Sequence, residues 1–448
     1  MSDSRKRIAD LAFLTALIFY ILTGIALTPA HGDEYMFMAM ARDTYYIAHG
    51  DWNKLLYSPP VEPDSEQFLR LINGTVNKTL IGLVWLLEGR SIDSLPGVYA
   101  WTMPFDWNQR EGNVPSDDDL HTARWPSAIL AALGVVPMFF IGWQLRMRSL
   151  AYPSALIYAL HPVILLNGRR AMLEGSLMFF SLATIAWLLA LIVSEHSANA
   201  NGFMSRLSPV VRYGILGVLA GLAVAAKQTG LVVAGAALLA ALAAGLAGKR
   251  SWRPLAWVGY ASVVALITWF ALNPAYWSHP FGAIRTTVAA RAELLDQQVS
   301  AAGQLAYTNA WQRIQAVITQ PFLTPPQYYE SDTWSGLINN QIAVYQQSAI
   351  DGWDWGPLIG VVLTLLAGIG LAALFYDAFR GDKIAWAILV WTVFTIIASL
   401  VVPLSWQRYY LPLMLVSIVL AAEGLGRLLV RRASEENRQP AVSDVSAA

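Results

Sequence analysis

The chain has 448 residues, 56% of them hydrophobic and only 13% charged, with a mean hydropathy of +0.45 and a formal net charge of zero. A soluble domain carries about 25% charged residues, so much of this surface is built to meet lipid, and the neutral balance points to no nucleic-acid partner. The absence of cysteine excludes disulfides, thiolate metal sites and cysteine nucleophiles.

The basic N-terminus, Arg5-Lys6-Arg7, leads into an apolar run over 8–28. That run is long enough to span a hydrocarbon core of about 30 Å. A signal peptide has a shorter apolar core and a small-residue cleavage site, so the run reads as an uncleaved first span. Further runs of spanning length lie near 125–145, 150–167, 171–193, 212–228, 230–248, 254–272, 356–376, 384–402 and 408–430. They lack period-2 alternation, and backbone groups in lipid must be satisfied internally, so each reads as a helix. The sequence therefore predicts an all-α, polytopic transmembrane protein of about ten spans. The Ala/Gly/Leu-rich stretch 217–248 predicts close helix packing through small residues. A tight turn near Lys227–Gly230 separates the fifth and sixth spans.

With the N-terminus in the cytoplasm, the short inner loops hold Arg146 and Arg148, Arg206 and Arg212, Lys249, Arg250 and Arg253, Arg380 and Lys383, and then Arg427, Arg431 and Arg432. This agrees with the positive-inside rule. The same threading leaves two long exoplasmic loops, 29–124 and 273–355, both rich in Trp, Tyr and Pro. Stretches 33–48 and 71–88 show helical spacing of mixed residues and read as interfacial helices. One transmembrane domain then covers 1–432, and the polar stretch 433–448 reads as a disordered cytoplasmic tail. Asn73-Gly74-Thr75 and Asn77-Lys78-Thr79 fit the glycosylation acceptor pattern.

Candidate chemistry collects on the exoplasmic face. Asp33-Glu34 follows the first span. Two carboxylates at a membrane mouth are costly unless solvated, paired or used. Asp33 can cap a helix over Met36–Tyr46, or it can act as a general base on an acceptor hydroxyl; the two roles are compatible. In Asn167-Gly168-Arg169-Arg170-Ala171-Met172-Leu173-Glu174, the four-residue spacing of Arg170 and Glu174 allows an ion pair on one helix face. Arg124, Arg169, Arg170, Lys227 and Arg408 all fall on the same face. Singly each can be an interfacial anchor; together they suit a phosphate, which Arg holds bidentately. No two histidines have metal-ligand spacing. A divalent metal between Asp33, Glu34 and a remote His is compatible with the sequence, but no motif calls for one. A secondary transporter is a competing reading, as is an inactive membrane scaffold. Transporters usually show inverted repeats, and the two halves of this chain are unlike.

In order along the chain, these residues resemble the glycosyltransferase-C membrane enzymes, in particular the protein O-mannosyltransferase and aminoarabinose transferase group. That group has an acidic pair opening its first outer loop, similar to Gly32-Asp33-Glu34-Tyr35-Met36-Phe37 followed by Tyr45-Tyr46. Its arginine before a span resembles Arg124-Trp125-Pro126-Ser127. Its Ser-Arg-x-x-x-x-Asp element resembles Gly168 to Glu174, with Glu for Asp. Gly221-Leu222-Ala223 through Lys227 to Gly230, Asn273-Pro274 through Trp277 to Pro280, and Arg408-Tyr409-Tyr410-Leu411-Pro412 match three further elements. The group's His/Lys-Pro-Pro-Leu-x-Lys element is replaced by Asn73-Gly74-Thr75-Val76-Asn77-Lys78, where Lys78 keeps the basic position.

The resemblance implies inverting transfer of a sugar from a dolichyl- or undecaprenyl-phosphate donor to an exoplasmic hydroxyl of protein Ser/Thr, lipid or cell-wall glycan. It implies Asp33 as the base with Glu34 tuning it, and Arg124, Arg170, Lys227 and Arg408 around the donor phosphate. Glu174, Lys78 and Arg169 are implied as supporting residues. A bacterial plasma membrane is the implied setting.

Overall fold

The computed structural model describes residues 3–63, 65–145, 147–196, 203–247, 252–331, 334–353 and 356–436. Helix α1 covers Asp3–Thr23. Five helices follow in the first long loop: α2 (Gly32–Met40), α3 (Arg42–His49), α4 (Glu66–Ile72), α5 (Val76–Leu87) and α6 (Phe105–Arg110). Next come α7 (Asp117–Leu133), α8 (Val135–Gln144), α9 (Ala151–Leu160), α10 (Pro162–Arg169), α11 (Glu174–His196), α12 (Phe203–Arg206), α13 (Pro209–Ala226), α14 (Gly230–Leu246) and α15 (Arg253–Ala271). The second long loop holds α16 (Pro280–Ala301), α17 (Ala310–Thr319) and α18 (Ser335–Gln346). The chain finishes with α19 (Gly356–Phe379), α20 (Lys383–Leu400) and α21 (Leu411–Glu436). Among the described residues the only β contact is an isolated bridge, Ala306 with Leu404.

Among the described residues, seven helices or joined helix pairs are long and apolar enough to cross a membrane, or eight if the bent pair α9–α10 counts as one span. Helices also occupy the other two expected runs: α1, and α14 at 17 residues. Many large apolar side chains face outward, such as Val263, Leu266 and Ile267 on α15 and Leu358 and Leu365 on α19. Such a surface suits lipid rather than water. The small-residue packing expected over 217–248 is present. A Cβ on Gly221 would stand 2.5 Å from the Ala265 carbonyl, so α13 and α15 meet backbone to backbone there.

Four expectations are corrected. The run 150–167 is not one straight span: α9 and α10 meet at 59°. Pro162 has no N–H to donate to the Tyr158 carbonyl and continue the ladder, and at the bend the Leu160 carbonyl accepts from the Trp353 N–H at 2.8 Å. The stretch 71–88 is not one helix, because α4 ends and α5 starts anew after Asn73-Gly74-Thr75. There the Thr75 N–H donates to the Ala225 carbonyl, and a Cβ on Gly74 would lie 1.9 Å from the Ala226 carbonyl. The break thus docks the first loop onto the end of α13. The stretch 33–48 is two helices, α2 and α3, meeting at Ala41. Helix α21 continues to Glu436, past the expected start of the tail; 437–448, Arg146, Lys249 and Arg250 lie outside the described residues. Asn77 is fully buried, which closes the second glycosylation pattern to modification in the folded chain.

Candidate active site

Asp33 and Glu34 are neighbours in sequence but face different partners. The cap of α2 is His31, not Asp33. The His31 ring accepts from the Asp33 N–H, and the Glu34 carboxylate accepts from the His31 N–H at 3.0 Å, which makes a capping box. This local geometry turns Glu34 inward and leaves Asp33 toward the open side.

Glu34 is fully buried and meets Arg124 through two parallel bonds of 2.8 and 2.9 Å. It also accepts from the Ala171 N–H at 2.8 Å. Arg124 spends its remaining contacts on the carbonyls of Ile25 and Thr28. Burial pushes the Glu34 carboxyl up, but Arg124 outweighs it and holds the group below its ordinary value. Arg124, expected beside a phosphate, is therefore the counter-ion of Glu34 and lashes α1, α2 and α7 together. With its oxygens saturated in this way, Glu34 does not fit a metal ligand, and among the described residues no three His, Asp or Glu side chains are grouped to hold an ion.

Asp33 pairs with Arg408, in the 3-10 turn Gln407–Tyr410 that opens α21. One oxygen accepts from that guanidinium, and the side chain keeps 21% exposure. Burial pushes the Asp33 carboxyl up, while Arg408 and then His31 lower it further, so it sits below its ordinary value and is ionised at neutral pH. A residue not anticipated from sequence, Glu330 of the second loop, completes the cluster. It accepts from the His31 ring at 2.5 Å and lies 3.1 Å from the Arg408 Nε, off the hydrogen-bond direction. Burial again pushes its carboxyl up, but Arg408 and His31 hold it well below the usual range. The segment bearing Glu330 is strapped down by a reciprocal pair. The Gln327 N–H donates to the Gln407 side chain and the Gln407 N–H to the Gln327 side chain, both at 2.8 Å.

Lys227, in extended conformation at the end of α13, donates to Glu174 at 2.7 Å and stands 5.5 Å from the centre of the Tyr409 ring. Arg408 stands 5.8 Å from the same ring. Tyr409 therefore lies between two cations. Glu174 pairs with Lys227 and not with Arg170, because Arg170 precedes α11 in an extended conformation and the i, i+4 geometry never forms. Its other oxygen, Oε2, is buried without a partner.

Of the remaining expected site residues, Arg170 adjoins the cluster, acting electrostatically on Glu34 and Glu330, while Arg169 and Lys78 have other partners. Arg170 is buried and donates to the carbonyls of Pro29 and Tyr328. Arg169 is buried among the carbonyls of Tyr20, Ile21 and Ile350 and the Tyr345 hydroxyl, a structural tie. Lys78 donates to Asp43 at 2.6 Å, beside Arg70 at 2.7 Å from the same carboxylate, in a buried ion cluster that joins α3, α4 and α5.

Residues 74–279 match the family described as dolichyl-phosphate-mannose-protein mannosyltransferase, under half of the chain. The apo oligosaccharyltransferase of Archaeoglobus fulgidus superposes with a TM-score of 0.53 at 14% identity, over 95% of this chain and 52% of that one. The chain shares the fold of that oligosaccharyltransferase. A second structure of this fold, the archaeal oligosaccharyltransferase AglB from the same organism in complex with an inhibitory peptide and a dolichol-phosphate, gives 0.51 at 13% identity, over 96% and 52%. ArnT from Cupriavidus metallidurans bound to undecaprenyl phosphate gives 0.49 at 14% identity, over 95% and 61%. The chain spans about half the length of the first two solved proteins. No curated protein matches it.

Proposed function

We propose that the protein is a membrane glycosyltransferase that moves a sugar from a polyprenyl-phosphate donor to a hydroxyl acceptor on the exoplasmic side. The observation that carries this reading is the Asp33–Arg408–Glu330–His31 cluster next to Lys227: one accessible carboxylate sits beside cations at the end of the bundle that bears both long loops. The matched family and the dolichol-phosphate bound to AglB supply the donor class.

In the reaction, Asp33 takes the proton from the acceptor hydroxyl as its oxygen forms a bond to the anomeric carbon. The bond from that carbon to the phosphate oxygen breaks on the opposite face, so the configuration inverts. The lipid phosphate leaves with an added negative charge, and Lys227 and Arg408 stabilise it. Arg124 and Arg170 take no part in holding it, since their bonds go to Glu34 and to backbone carbonyls. Arg408 links the two halves of the chemistry. A phosphate that draws Arg408 toward itself weakens the field that keeps Asp33 acidic, and the base gains strength when the donor is in place.

Purified protein given synthetic undecaprenyl-phosphate or dolichyl-phosphate sugars together with hydroxyl acceptors (Ser/Thr peptides, lipids and cell-wall glycans) should form an inverted glycosidic product. No transfer from any sugar on either lipid would overturn the reading.

A further inference from the structure

Helix α16 carries a cation that the expected site did not include. Arg291 lies beyond the stretch matched to the mannosyltransferase family. Its Nε donates to the Gln228 side chain at 2.9 Å, and Gln228 in turn donates to the Leu71 carbonyl at 3.1 Å. Gln228 follows Lys227 directly, so the guanidinium is held in fixed orientation beside the cation that grips Glu174. Tyr409, Arg408, Tyr276 and Asp33 act on it electrostatically. Gln298, two turns further along α16, accepts from the Tyr409 hydroxyl at 3.3 Å, which places this side of the helix against Tyr409. Among the described residues Arg291 forms no ion pair, and only its Nε carries a hydrogen bond. A half-buried cation beside another cation, oriented but without a counter-ion, lacks the anion that would balance it.

The position of Arg291 on the helix says what kind of anion. Counting about 100° per residue, Phe281, Ile284, Val288 and Arg291 fall within an arc of about 80°. The three apolar residues are exposed, Phe281 at 88%, while Ala283, Thr287 and Ala290 on the adjoining arc are buried. Arg291 sits on the seam between the buried face and an outward apolar stripe about 10 Å long. An anion reached along that path has an apolar chain attached.

We propose that Arg291 is the third cation of the donor site, joining Lys227 and Arg408 around the lipid phosphate, with the isoprenoid chain lying along Phe281, Ile284 and Val288. This inference rests on the reading of the donor as a lipid phosphate.

The test measures binding of undecaprenyl phosphate, undecaprenol and inorganic phosphate to the purified full-length protein. Wild type should prefer the lipid phosphate to both. Arg291→Gln should weaken undecaprenyl phosphate by about tenfold and leave undecaprenol unchanged. Val288→Gln should weaken both lipids alike and leave inorganic phosphate unchanged. A wild type that binds undecaprenol as tightly as undecaprenyl phosphate would overturn the lipid-phosphate reading itself. A wild type that discriminates, with an Arg291→Gln protein that discriminates equally well, would overturn the role of Arg291 and leave the reading standing. If Arg291→Gln does not fold, Gln228→Met carries the test. It frees the guanidinium without removing its charge, and an undiminished preference for the phosphate would likewise overturn the proposal.

Discussion

Glu34→Gln should destabilise the protein far more than Asp33→Asn, although the residues are adjacent. The Gln side chain keeps the shape of Glu34 but removes the carboxylate that pairs with Arg124. A fully buried guanidinium then remains with carbonyl partners alone, and breaking a buried pair in this way costs about 3–5 kcal/mol. Arg124→Met should cost a similar amount, because it strands the Glu34 carboxylate and two carbonyls. The double variant should recover part of the loss, with a coupling of about 3 kcal/mol. Asp33→Asn leaves Arg408 with Glu330 and removes a carboxylate that is 21% exposed where Glu34 is 0%. Its cost should stay below about 1 kcal/mol. Reversible unfolding in mixed detergent, followed by Trp fluorescence, measures all four proteins. A Glu34→Gln variant within about 1 kcal/mol of wild type would refute the claim that the two carboxylates divide structure from chemistry.

Two further outcomes follow from the same geometry. Gly74→Ala places a methyl 1.9 Å from the Ala226 carbonyl, where two backbones meet and neither can yield cheaply. Overpacking of this kind costs about 1–3 kcal/mol, read as a lowered Tm and earlier proteolysis of the first loop. The Glu330 carboxyl is held well below its ordinary 4.5, so its stabilising contribution is complete above that value and is lost as pH falls through the lower folded value. Unfolding midpoints measured from pH 7 down to pH 3 should therefore drop below about 4.5 in wild type and change less in Glu330→Gln; equal slopes would refute the assignment.

The sequence made some parts of this structure readable and hid others. Apolar length and the charges between apolar runs follow from local composition, so the helical runs and the clustering of Asp33, Lys227 and Arg408 were legible. Pairing is a tertiary property. Arg124 was expected beside a phosphate and bonds Glu34, because nothing local distinguishes a cation that faces a substrate from one that faces a buried glutamate 90 positions away. Glu330 and Arg291 were missed for a related reason. They lie in a long loop without a spanning pattern, and they reach the cluster only because the loop folds back over 299 residues to His31 and 63 to Gln228. The reciprocal Gln327–Gln407 pair has no sequence signature at all. One signal was available for the bend at His161: a proline inside an apparent span breaks the ladder at a known place.

The central claim is that Asp33 removes the acceptor proton. Its most direct test is the single-turnover rate of sugar transfer by Asp33→Asn from a saturating lipid-phosphate sugar, with donor binding measured on the same preparation. The account predicts a rate lowered by about 10²–10⁴-fold, with donor affinity within a few-fold of wild type. An Asn variant that binds donor and transfers at the wild-type rate would contradict it.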